Sequence, residues 1–205
     1  MTDRKRGRRP GSTDAATPRA PRADAVANRA RIVAAAHAAF TELGFEVPLD
    51  DIAARAGVGP GTVHRHFPTK AELVDAVLAL AVTELVDEAR SLAGADDPGA
   101  AFWTFLEHLV SAGAAAHELA HRLGPAAGDV EAAVATPTAD LRRWLARLRS
   151  RAQQAGAVRS DLDDDGLAAV IAAGHAAYTH PGGGDRALGV VLDGLRPAGA
   201  RRPIG

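Results

Sequence analysis

The chain has 205 residues, no cysteine, 47% hydrophobic but only 4% aromatic residues, and a formal net charge of −1 at pH 7. The missing thiols exclude disulfides and thiolate metal sites, the length allows a small domain beside a medium one, and no stretch reaches the uncharged apolar length that crosses a bilayer. A core drawn mostly from Ala, Leu and Val, without alternating apolar and polar runs, points to an all-α fold.

The average charge hides a polarity. Residues 1–67 hold eleven basic and seven acidic side chains, a surplus of four, so residues 68–205 carry −5. A basic front and an acidic rear orient a molecule on phosphate. Residues 1–22 are rich in Pro, Gly, Ser, Thr and Arg and bury too little apolar surface to order themselves. They read as a basic arm in which Lys5-Arg6-Gly7-Arg8-Arg9-Pro10 follows a DNA backbone or enters a minor groove; a solvated tail is the plainer alternative. No apolar stretch follows the basic start, so no secretory signal is expected and the expected location is the cytoplasm.

A first helix is expected over residues 24–43, with Val26, Val33, Phe40 and Leu43 on one stripe and Gly44 as its stop. Residues 49–67 then read as two short helices joined by a tight turn. Asp50 or Asp51 would cap the first, Ile52, Ala53 and Ala56 give it an apolar face, and Gly57 ends it in the left-handed conformation. Gly59-Pro60-Gly61 leads into the second, where Val63 and Phe67 share one side while Thr62, Arg65 and His66 point elsewhere. That is the helix-turn-helix pattern. A longer helix opens at Thr69 with Glu72 completing a capping box, and Leu73, Val77 and Leu80 carry its stripe on to about residue 92. Lys70 sits in its first turn, where backbone N–H groups and a cation can grip one phosphate together.

Ile32, Ala35, Ala36, Phe40, Gly44, Ile52-Ala53, Ala56-Gly57-Val58, Gly61-Thr62-Val63, His66-Phe67, Lys70 and Leu73 resemble, in order and spacing, the TetR family of bacterial transcriptional regulators. The resemblance covers roughly residues 25–82. It implies about nine helices: an N-terminal three-helix DNA-binding domain over 23–68, and a helical effector-binding and dimerisation domain over 69–196 before a tail at 197–205. It also implies DNA contacts from Pro60, Gly61, Thr62, Val63, His64, Arg65, His66 and Lys70. One position departs: His64 stands where the family has a tyrosine that bonds a phosphate, a contact an imidazole can also make.

After a break at 94–99, Asp97-Pro98 opens a helix holding Phe102, Trp103, Phe105, Leu106 and Leu109, with a kink expected near Gly113 before its end at Leu123. Gly124-Pro125 is the next break. A long helix follows over 129–154 with Trp144, Leu145 and Leu148, and Pro137 should kink it or mark its start. Asp161, Asp163, Asp164 and Asp165 precede a helix of Leu167, Val170, Ile171, Gly174 and Tyr178; capping and dipole contacts explain them better than a cation site. Beyond Pro181-Gly182-Gly183-Gly184, a last helix carries Leu188, Val191, Leu192 and Leu195. The resemblance makes these last two helices a dimer interface built from Leu167, Val170, Ile171, Gly174, Leu188, Val191, Leu192 and Leu195. Core packing within one chain is the alternative.

One motif competes. His117-Glu118-Leu119-Ala120-His121 fits the H-E-x-x-H pattern, whose two histidines share a helix face and can hold zinc with the glutamate as general base. Gly124 falls where the extended motif has a glycine, but the third ligand position is Ala127 and no glutamate ligand follows. A metal-responsive regulator or a zinc hydrolase are the alternatives it raises; ordinary helix histidines, with no metal, no cofactor and no enzyme activity, are the expectation. Trp103, Phe105, His108, His117, His121, Trp144, His175 and Tyr178 lie on helices that the resemblance places around an effector cavity, apolar with a few polar anchors. The expected protein is thus a homodimeric repressor on a pseudo-palindromic double-stranded DNA operator, released by a small, mainly apolar ligand, with no membrane partner. An architectural DNA binder working through the arm is a further alternative.

Overall fold

A computed structural model describes the backbone of residues 21–123 and 130–197, and the side chains of 23–113 and 137–197. Among the described residues the fold is all-α, with eight helices: α1 (Pro21–Leu43), α2 (Leu49–Ala56), α3 (Pro60–His66), α4 (Lys70–Leu92), α5 (Pro98–Leu123), α6 (Val130–Gln154), α7 (Asp164–Thr179) and α8 (Asp185–Asp193). About nine were expected. Neither Gly113 nor Pro137 divides a helix: α5 runs through the first and α6 through the second. The arm expected over 1–22 falls outside the described residues except for its last two, which already belong to α1.

The helices of the N-terminal unit close on one core. Ile32, Val33, Ala36 and Ala39 of α1 meet Ile52, Ala53 and Ala56 of α2, Val63 of α3, Phe67, and Leu73 and Val77 of α4. The stripe expected on α1 is therefore corrected at its two ends only. Val26 is 70% exposed and Leu43 60% exposed, because α1 is covered by its neighbours only along its middle. Mid-helix, Val33 is buried with Ile32, Ala36 and Ala39, and Phe40 packs against the same core, so only the two ends of the stripe are left in water.

The caps explain the boundaries. α2 follows Pro48 with no side-chain cap, so Asp50 and Asp51 act as first-turn charges on the helix dipole, not as caps. Gly57 (φ 65°) closes it in the left-handed region. There Val58 N–H bonds the Ala53 carbonyl at 3.0 Å and Gly57 N–H that of Ala54 at 3.1 Å. Pro60 fills the first position of α3, where its missing N–H is not needed. Thr69 caps α4 as expected, its Oγ1 accepting from Glu72 N–H at 3.2 Å.

α4 belongs to both halves of the molecule. It spans 23 residues, about 34 Å at the helical rise. Leu73 and Val77 sit in the N-terminal core. Leu85, Val86 and Ala89 sit in a second core with Phe102, Phe105 and Leu106 of α5, Leu145 and Leu148 of α6, Leu167 of α7, and Leu188 and Leu192 of α8. Arg151 of α6 ties the far end of α4 by donating to the carbonyls of Ala93 and, at 2.9 Å, Ala95.

The acidic run before α7 is used internally. Asp163 caps Gly166 N–H at 2.7 Å, Arg149 holds Asp164 at 2.9 Å, and Arg159 pairs with Asp161 at 2.6 Å. No helix among the described residues is long and apolar enough to cross a membrane.

Candidate nucleic-acid interface

The geometry of α3 follows from two inward residues. Val63 is fully buried and Phe67 is 1% exposed, four positions apart and packed on α1 and α2. The opposite face is left to solvent: Pro60, Gly61, His64 and Arg65 are exposed, Thr62 and His66 half-buried. Val63 is therefore corrected. Its side chain is core and cannot reach a base edge, since helical spacing puts it with Phe67. The remaining surface has the form of a reading helix: a short segment held rigidly on a scaffold, with small Pro60 and Gly61 at its entrance and the donors His64 and Arg65 outward.

Residues 23–70 contain five basic and five acidic side chains, a net charge of zero. Electrostatic character here depends on which charges are already paired. Arg55 Nη1 lies 2.8 Å from Glu42 Oε2 and is neutralised. Lys70 Nζ instead donates to the Val47 carbonyl at 3.3 Å and stands 4.3 Å from the Phe45 ring centroid, so neutral partners position its charge. Two of the ammonium's three donors are left over.

The residues expected around an effector cavity fall into different settings. Phe105 is fully buried core. His108 is exposed, its Nδ1 2.6 Å from Glu88 Oε2 of α4, which makes it part of a surface pair between α4 and α5. Trp103, Trp144 and Tyr178 are half-buried against the second core. Arg196 lies 4.7 Å over the Trp103 ring and Arg147 5.7 Å from that of Trp144. His175 is half-buried, with a buried Nε2 that has no hydrogen-bond partner among the described residues. The side chains of His117 and His121 lie outside the described residues. Among the described residues no three metal-ligating side chains converge. A shallow hollow of about 290 Å³, lined by Arg159, Asp161, Leu162, Val170, Val191 and Leu195, involves none of the expected effector residues.

The expected dimer residues divide as well. Leu167, Gly174, Leu188, Leu192 and Leu195 are buried within the chain, and Val170, Ile171 and Val191 are half-buried. Gly174 is small because Val110 and Leu188 close over it; a Cβ there would stand 3.2 Å from Val110. The first five are thus corrected to intrachain core. The outer face of the pair is a stripe that large-residue reasoning passed over: Ala168, Ala169, Ala172, Ala173 and Ala176 of α7, exposed at helical spacing, and Val190 of α8, 61% exposed. The repeat of alanines was the available signal.

Comparison with known proteins agrees with this architecture. Residues 32–77 match the family model "Bacterial regulatory proteins, tetR family", and residues 97–197 match "Transcriptional regulator SbtR-like, C-terminal domain". A TetR transcription regulatory protein from Mycobacterium vanbaalenii has a crystal structure similar to this chain at a TM-score of 0.66 and 40% identity, covering 86% of this chain and 99% of that one. The regulator SCO0520 from Streptomyces coelicolor aligns at a TM-score of 0.64 and 30% identity, covering 83% and 99%. An HTH-type transcriptional regulator of Staphylococcus aureus, SAB2452, is 45% identical over 53 residues, which span 25% of this chain and 29% of that protein. With both halves matched in order on an all-helical scaffold, the chain belongs to the TetR family of transcriptional regulators and carries its helix-turn-helix DNA-binding domain.

Proposed function

We propose that the protein is a homodimeric repressor of the bacterial cytoplasm, bound to a pseudo-palindromic operator and released from it by a small, mainly apolar ligand. The observation that carries the reading is the division of α3: Val63 buried beneath, with Pro60, Gly61, His64 and Arg65 exposed above. Phosphate contacts from Thr62, His64 and Lys70 would fix the register, while Pro60, Gly61 and Arg65 meet base edges.

Release is supported by α4, which contributes buried side chains to both cores and so links any repacking around α5–α7 to the DNA-binding unit. The half-buried Trp103, Trp144 and Tyr178, packed at the margin of the second core, suit a mainly apolar ligand. Such a ligand has to bind the DNA-free conformation more tightly, since equal affinity shifts nothing.

The test is selection of genomic fragments by the full chain, followed by footprinting and a ligand screen read by tryptophan fluorescence. A protected pseudo-palindrome, released on adding a ligand that changes the fluorescence, is the expected result. Equal binding to all fragments would replace the repressor reading with an architectural one. Release by zinc alone, abolished in His117→Ala, would replace the apolar ligand with a metal.

A further inference from the structure

Two cations of α1 flank α3 without a part in docking through Thr62, His64 and Lys70. Arg29 and Arg31 are both exposed. The Arg29 guanidinium stands 4.8 Å over the ring of Phe67, the residue that ends α3. Arg31 is held by Asn28, whose Oδ1 accepts from Nη2 at 2.6 Å. Its Nη1 lies against the turn between α2 and α3, 3.7 Å from where a Cβ on Gly57 would be. Residues two apart on a helix diverge around its axis, yet here one reaches the C-terminal end of α3 and the other the turn that enters it.

The partners of these guanidiniums are an aromatic face and a neutral amide oxygen. Each fixes the position of the cation without cancelling its charge. Arg55, two residues before Gly57 in the chain, is the contrast: Glu42 already neutralises it. In a unit of zero net charge, a cation with no carboxylate partner among the described residues is one whose counter-ion comes from outside.

We infer that Arg29 and Arg31 form a phosphate grip that brackets α3, with one guanidinium on the backbone at each end of the reading helix. The inference rests on the docking of α3 into a major groove. A guanidinium offers several N–H donors in a planar fork that suits phosphate oxygens, and such contacts carry affinity and orientation but no sequence information.

The experiment uses the full chain and a labelled mixed-sequence DNA duplex, with affinity followed by anisotropy across a salt series. Removing one phosphate-bound cation lowers the slope of log affinity against log salt by about 0.9. Arg31→Gln and Arg29→Gln should each lower it by about that amount and the double variant by about twice as much, with Arg31→Lys and Arg29→Lys recovering most of it. The charge-balanced control Glu42→Gln/Arg55→Gln should leave the slope unchanged. Arg31 is held by half-buried Asn28 and lies against the turn surface without stacking on a core ring as Arg29 does, so Arg31→Gln, checked by circular dichroism, decides the matter. An unchanged slope in that variant, with the wild type still binding, overturns the grip alone. A wild type with no salt-dependent affinity for the duplex overturns the DNA docking and the grip with it.

Discussion

His175 of α7 seats its imidazole on Gly113 of α5: a Cβ at position 113 would stand 2.2 Å from His175 Nε2 and 2.5 Å from Cε1. No side chain fits between them. The glycine at which a kink in α5 was expected is the point where α7 comes close to it.

Gly113→Ala should therefore lower stability by about 1–2 kcal/mol, the cost of overpacking less the gain of alanine over glycine in a helix. Denaturant midpoints measure it. Adding His175→Ala should return much of that stability, a non-additivity expected only of residues in contact. If Gly113→Ala is as stable as the wild type, the ring does not hold its place on α5.

Lys70→Ala should weaken binding about equally across DNA sequences and lower the salt slope by about 0.9. Arg65→Ala should change sequence preference instead, because Arg65 is exposed on the outer face of α3. Affinity measured at several salt concentrations separates the two. An unchanged Lys70→Ala slope would mean that the Val47 carbonyl and the Phe45 ring keep this ammonium for themselves.

How far these features could be read in the sequence depended on locality. The end of α2 at Gly57, the Thr69 cap and the Pro60 start of α3 each depend on neighbours within four residues, and all were legible. Asp50 and Asp51 misled because a proline already occupied the capping position. Which side of α7 faces inward was not legible, since its Leu, Val, Ile and Gly residues satisfy core and interface equally; only the positions of Val110 and Leu188 decide that Gly174 is inside. His108 was likewise indistinguishable from a cavity residue until Glu88, twenty positions away, was placed beside it. The neutral partners that hold Lys70, Arg29 and Arg31 are all side chains or carbonyls brought in by tertiary packing, except Asn28.

Acid should loosen one surface clasp. The Arg159 guanidinium, bonded to both oxygens of Asp161 at 2.6 Å, holds that carboxyl below its usual range. The folded value lies below the unfolded one, so the pair's contribution is present above about pH 4 and is lost as pH falls through the folded value. The pair is exposed, which keeps the contribution small and sensitive to salt. Carboxyl chemical shifts should show Asp161 titrating at a higher pH in Arg159→Gln; an unchanged titration would mean the clasp is absent in solution.

Two reading helices must stand about 34–36 Å apart to enter successive major grooves, and only a fixed dimer supplies that spacing. The face with the features to build one is the alanine stripe of α7 beside Val190. Small side chains let helices approach closely, and Val190, at 61% exposure, is one of the large apolar side chains exposed to water among the described residues. Val190→Asp should leave the fold and thermal midpoint of the subunit nearly unaltered, since the residue has little to lose in an isolated chain. In the proposed dimer the same change would bury an unpaired carboxylate, which association cannot tolerate. Light scattering should therefore report a folded monomer, with operator affinity greatly reduced at equal protein concentration. Leu192→Asp provides the contrast. That residue is only 4% exposed within its own chain, so the charge there should unfold the subunit and not merely separate it. A Val190→Asp protein that still scatters as a dimer would move the interface away from this face.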